Sequence, residues 1–107
     1  MEQPDRRTHA RYRLNLPLHY TVLHRRKTVA AGTGWTVDIS AAGACFIADG
    51  LVQRGDTVEL VVDWPAMLDG QVPLELATFG EVVWVKANHV GLWFLRQGLK
   101  KRPGAPA

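Results

Sequence analysis

Arg54-Gly55-Asp56-Thr57-Val58-Glu59-Leu60-Val61-Val62-Asp63 is the stretch that decides the fold. A turn at Arg54-Gly55-Asp56 leads into a run where Val58, Leu60 and Val62 alternate with Glu59, Val61 and Asp63, the period of a strand with one face buried. The same alternation recurs upstream over 15–23, where Leu16, Leu18, Tyr20 and Val22 oppose Pro17, His19 and Thr21. Between these lie a polar turn at His24-Arg25-Arg26-Lys27, a strand over 29–39 whose Gly32 and Gly34 permit a bulge or sharp bend, and a short strand over 44–48 closed by Asp49-Gly50. Downstream, Trp64-Pro65 ends the fourth strand and Asp69-Gly70 signals a hairpin. Residues 74–78 and 81–86 read as two pieces of one strand bent at Gly80, and 90–95 as the last strand after a turn at Asn88-His89. No window of a dozen residues has helical apolar spacing, so the fold class is all-β, a barrel or a sandwich.

The chain has 107 residues, the size of one domain with a single core. A lone cysteine, Cys45, excludes an internal disulfide and suits a reducing compartment. No leader and no apolar run long enough for a membrane span is readable, so the expectation is a soluble cytoplasmic protein. The net charge of +3 is strongly segregated: residues 1–27 carry +5, residues 28–95 carry −6, and residues 96–107 carry +4. Basic ends around an acidic body suggest a local anion site or solvated tails more than a nucleic-acid surface. Residues 96–107 read as a basic Gly/Pro/Ala tail, and residues 1–5 as a flexible N-terminus.

Two short motifs carry chemistry. Arg7 and Arg11 sit four apart, about 13 Å if extended and about 6 Å in a helical turn, so a partly curled arm brings both to one small molecule. An arginine fork pairs bidentately with phosphate or with the O6/N7 edge of guanine. The plainer reading of such an arm is a solvated basic end. Asp38 and Ser40, two apart at a strand end, share a face and offer an acceptor and a hydroxyl. A carboxylate accepts from N1 and N2 of guanine, which adenine cannot reproduce. Gly43 permits positive φ in the following turn or a close backbone approach by a ligand. The competing reading is an Asx or Ser turn that ends the strand.

In order and spacing, Arg7-x-x-x-Arg11 and Asp38-x-Ser40-x-x-Gly43 resemble the R-x-x-x-R and D/N-x-S-x-x-G pair of the PilZ domain family. Leu16-Pro17-Leu18, Gly43-Ala44-Cys45-Phe46, Gly55-Asp56-Thr57-Val58, Gly80-Glu81-Val82-Val83-Trp84 and Val90-Gly91-Leu92-Trp93-Phe94 also look like that family's core pattern, so the similarity spans about residues 6–95. The resemblance implies a six-stranded antiparallel β-barrel with a flexible N-terminal arm and at most a very short C-terminal helix. It also implies a receptor for cyclic di-GMP, with Arg7, Arg11, Asp38, Ser40 and Gly43 as ligand-binding residues. Arg6 resembles the position that in this family goes with an intercalated ligand pair, which implies two cyclic di-GMP molecules per chain. Trp84 matches an aromatic position near the ligand base, whereas its bare reading is barrel filler. Arg13 lies off the motif and either contacts phosphate or faces solvent.

The resulting expectation is a binding module that needs no cofactor, clamps cyclic di-GMP with its arm and signals to a protein partner. The rivals are a PilZ-fold adaptor that binds no nucleotide and a small nucleic-acid-binding barrel using the basic ends. An enzyme is disfavoured: Ser40, His19 and Asp38 have no nucleophile elbow around them, and His9, His19, His24 and His89 have no metal-ligand spacing. Cys45 reads as a small buried apolar residue.

Overall fold

The computed structural model of the protein describes residues 12–102. These form seven antiparallel strands and no helix: β1 (Tyr12–Arg13), β2 (Pro17–His24), β3 (Lys27–Ile39), β4 (Gly43–Ala48), β5 (Thr57–Leu68), β6 (Val72–Lys86) and β7 (His89–Lys101). Six of them close a ring in the order β3-β2-β5-β6-β7-β4, with β4 returning to β3, and β1 lies beside the end of β3. Closure satisfies the strand edges within the ring. The expected six-stranded barrel is therefore present, with β1 as an added two-residue strand.

The period-two pattern turns one face of each strand inward. Leu18, Tyr20 and Val22 from β2 meet Val58, Leu60 and Val62 from β5, and Phe46, Val82, Val90 and Leu92 complete the core. The expected bend within β6 is a register irregularity between Phe79 and Gly80. Asp69-Gly70 forms the β5–β6 turn with φ of 52° and 69°. His19 and His24 are exposed, and His89 is half-buried at the start of β7.

Three readings of the sequence change. Trp64-Pro65 does not end β5, which continues to Leu68 through an irregularity between Trp64 and Met67 that contains Pro65. A proline lacks a ladder donor and is tolerated at such a break. The bulges expected at Gly32 and Gly34 lie instead between Val22 and Leu23 and between Thr36 and Asp38. Finally, residues 96–101 continue β7 against β6, with no C-terminal helix among the described residues. Lys100 pairs with the buried Glu75 at 3.5 Å, and the Arg102 side chain donates to the Leu74 and Trp64 carbonyls at 3.0 and 3.3 Å. The beginning of the expected tail is thus part of the sheet.

One polar latch sits at the rim of the core. The Tyr20 hydroxyl donates to Asp49 Oδ1 at 2.9 Å, and the Thr33 N–H and hydroxyl donate to the same carboxylate at 3.1 and 3.2 Å. Gly32 leaves this space open, since a Cβ there would strike both Tyr20 and Asp49. The Tyr20 bond chiefly holds the Asp49 carboxyl below its ordinary 3.8, while burial and then Asp49 push Tyr20 above 10.0. The latch contribution is full above the ordinary carboxylate value and below 10.0. It is lost as pH falls through the lowered value of Asp49, and again as pH rises through the raised value of Tyr20. Tyr20→Phe keeps the ring and removes the bond. The gap in Tm between the protein and this variant should be widest near neutrality and narrow at both extremes; a gap independent of pH would assign the effect to packing alone.

Candidate functional site

Thr36 fixes the stretch 14–16 that precedes β2. It is 1% exposed, its hydroxyl donates to the Leu14 carbonyl and accepts from the Leu16 N–H at 2.9 Å, and its own N–H donates to the Leu16 carbonyl at 2.9 Å. These bonds span the irregular stretch 14–16 between β2 and β1. Beyond it Arg13 faces Asp38 and Tyr12 faces Ile39.

A row of opposed residues then crosses five strands: Arg13 on β1, Asp38 on β3, Cys45 on β4, Gly91 on β7 and Trp84 on β6. Opposed residues share a face of a sheet. The neighbouring row of Ile39, Ala44, Leu92 and Val82 is buried in the core, so the Asp38 row faces outward. At about 4.8 Å per strand, Asp38 and Trp84 stand roughly 14 Å apart along it. This row is the floor of the candidate site, with a carboxylate near one end and an indole at the other, and with Cys45 and Gly91 buried between them.

Trp84 does not fill the barrel. It is 43% exposed and its ring lies on the backbone of Gly91, where a Cβ would collide with the indole. Trp93, two residues along β7 and 54% exposed, adds a second aromatic surface opposite Gly43 and Glu81. Cys45 is buried and Arg13 exposed.

Ser40 and Gly43 build the rim of this floor. β3 ends at Ile39, so the alternation that would put Ser40 on the face of Asp38 stops one residue short. Ser40 N–H donates to the Gly43 carbonyl at 2.8 Å, and its hydroxyl oxygen accepts from the N–H groups of Ala42 and Gly43 at 3.2 Å each. The serine closes the β3–β4 turn in the way the turn reading describes. Gly43 has no positive φ; it is required because a Cβ would run into the Leu92 carbonyl of β7. The turn is fastened to β7 by Phe94 N–H donating to the Ala42 carbonyl at 2.8 Å and by the Gln97 side chain donating to the Ala41 carbonyl.

The structure thus brings Asp38 and Trp84 onto one outer surface, with Ser40 and Gly43 at its rim. Arg6, Arg7 and Arg11 lie outside the described residues. Thr36, Gly91, Trp93 and Gln97 were not singled out from the sequence as site residues. Alternation within 90–95 places Gly91 and Trp93 on one face and was the available signal, whereas Gln97 is 56 residues from Ala41 and has none. Among the described residues no helix is long and apolar enough to cross a membrane, and no group of three His, Cys, Asp or Glu is placed to hold a metal.

Comparison with curated proteins finds no match. The PilZ domain model matches residues 5–102, nearly the whole chain. PilZ domains are in general cyclic di-GMP receptor or adaptor domains without enzymatic activity, and some PilZ proteins do not bind the nucleotide. The match runs through both short motifs and over a closed antiparallel ring, and the chain belongs to the PilZ domain family.

Proposed function

We propose that this PilZ domain is a receptor for cyclic di-GMP that rearranges its N-terminal arm on binding and passes the change to a protein partner. The observation that carries this reading is the pairing of β1 with β3. Arg11 is one peptide bond upstream of Tyr12, and Tyr12 and Arg13 pair with Ile39 and Asp38, which supports an arm that reaches the row holding Asp38. Arg7 and Arg11 bind phosphate and the guanine edge, Asp38 accepts from guanine N1 and N2, and Trp84 offers a face to a base. Ser40 and Gly43 act by shaping the turn and keeping β4 close to β7. No cofactor is needed. Ligand contacts that form only when the arm lies on the row shift it toward that arrangement and change the surface a partner meets.

Calorimetry is the direct test. Cyclic di-GMP should bind far more tightly than GMP or cyclic di-AMP, and equal or absent heats for all three would sink the proposal. Arg7→Ala and Arg11→Ala should each cost roughly 1.5–3 kcal/mol of affinity, about ten- to a hundredfold, with Tm nearly unchanged.

Thr36→Val is isosteric and removes both hydroxyl bonds. It should lower stability by about 1–3 kcal/mol through the orphaned Leu14 and Leu16 groups, and weaken cyclic di-GMP although Thr36 is buried away from the outer face. A variant that loses stability yet keeps full affinity would show that β1 does not position the arm.

Stoichiometry tests Arg6. Two intercalated ligands bring four phosphate charges, which three arginines compensate better than two. Saturation should occur at two cyclic di-GMP per chain, and Arg6→Ala should lower the ratio toward one. Saturation at one, unaffected by the substitution, would leave Arg6 without a role in binding.

A further inference from the structure

A cationic concavity lies farther along β6 and β7 from the Asp38 row, and Gln97, which holds the Ala41 carbonyl, is part of its lining. Between the tip of the β2–β3 hairpin and the outer faces of β5, β6 and β7 is a concavity of about 920 Å³, within the size range of small-molecule sites. Arg25, Arg26 and Arg96 line it together with Leu23, Phe79 and a single acid, Glu59. Glu59, Phe79 and Arg96 are opposed in register across β5, β6 and β7, and the Arg96 guanidinium lies 4.9 Å from the Phe79 ring centroid. Among the described residues none of the three arginines is in a salt bridge.

The backbone under Arg25 and Arg26 is unusual for their residue type. His24 pairs with Lys27, so the two arginines are the whole of a two-residue hairpin loop, with φ of 52° and 68°. Two successive positive φ values define a turn that favours Asn-Gly, and side chains such as arginine hold it at an energetic cost. The chain therefore places two guanidinium forks at the mouth of the concavity against local backbone preference.

From this we infer that the concavity binds a phosphorylated small molecule bearing a flat ring, the chemistry of a nucleoside triphosphate. Arg25 and Arg26 clamp the phosphates, while Phe79, Leu23 and the Phe79-stacked Arg96 support the ring. An extended polyanion fits less well, because residues 28–95 carry −6 and surround the local positive site with repulsion.

The test is calorimetry on the full chain with ATP, GTP and inorganic pyrophosphate, with cyclic di-GMP in a parallel arm. ATP or GTP should bind at least tenfold more tightly than pyrophosphate. The double variant Arg25→Asn, Arg26→Gly should weaken that binding at least tenfold while its Tm stays level or rises, because it supplies the residues the turn prefers. Arg96→Ala should weaken it to a similar degree, and neither variant should change cyclic di-GMP affinity. Absence of heat with both triphosphates at millimolar concentration overturns the inference, as does pyrophosphate binding equal to theirs. Parallel loss of cyclic di-GMP in these variants overturns it too, by making the concavity part of the other site.

Discussion

The barrel depends on β3 being paired along both edges. Its first part runs beside β2 and its second beside β4, and the overlap near Gly34 and Trp35 closes the ring. A strand of 13 residues is long enough to serve both neighbours. β2 begins at Pro17, opposite Trp35, so beyond that point one edge of β3 would expose its backbone groups. Thr36 meets Leu14 and Leu16 there, and β1 meets Asp38 and Ile39. The position of residues 12–16 follows from the need to satisfy that edge.

Much of this was legible in the sequence wherever a strand has one wet face and one dry one. Val58-Glu59-Leu60 and Leu18-His19-Tyr20 announce themselves because alternation is the direct imprint of burial on one side. The extension of β7 was hidden for the same reason. Residues 95–101 are all exposed, so they carry no alternating burial pattern, and what holds them is the opposing stretch of β6. Pro65 misled because a proline usually stops a strand, and only the register shows an irregularity around it that spares it a ladder bond.

At the candidate site, residue types gave the chemistry and register gave the arrangement. Asp38 and Trp84 are 46 positions apart in sequence, yet three strand steps bring them onto one surface. Ser40 shows the opposite case, in which local bonding wins. A hydroxyl next to free N–H groups of a tight turn is captured by them, whereas the carboxylate two residues earlier still lies within the strand. Trp84 avoided the core because Gly91 opposite it provides a flat place for an indole on the outer wall.

That placement of indoles extends to the whole molecule. Trp35, Trp84 and Trp93 are each about half exposed on the outer wall, Trp64 is half-buried beside the core, and the interior is filled by aliphatic side chains, Phe46, Phe94 and Tyr20. Intrinsic emission from this protein therefore reads the skin of the barrel more than its interior. A molecule that settles on the β3–β4–β7–β6 wall changes the surroundings of the indoles it covers, whereas Trp64, packed against the core, responds to melting of the interior. The domain carries its own optical reporter for surface occupancy, on the same wall as the outward-facing row that holds Asp38 and Trp84.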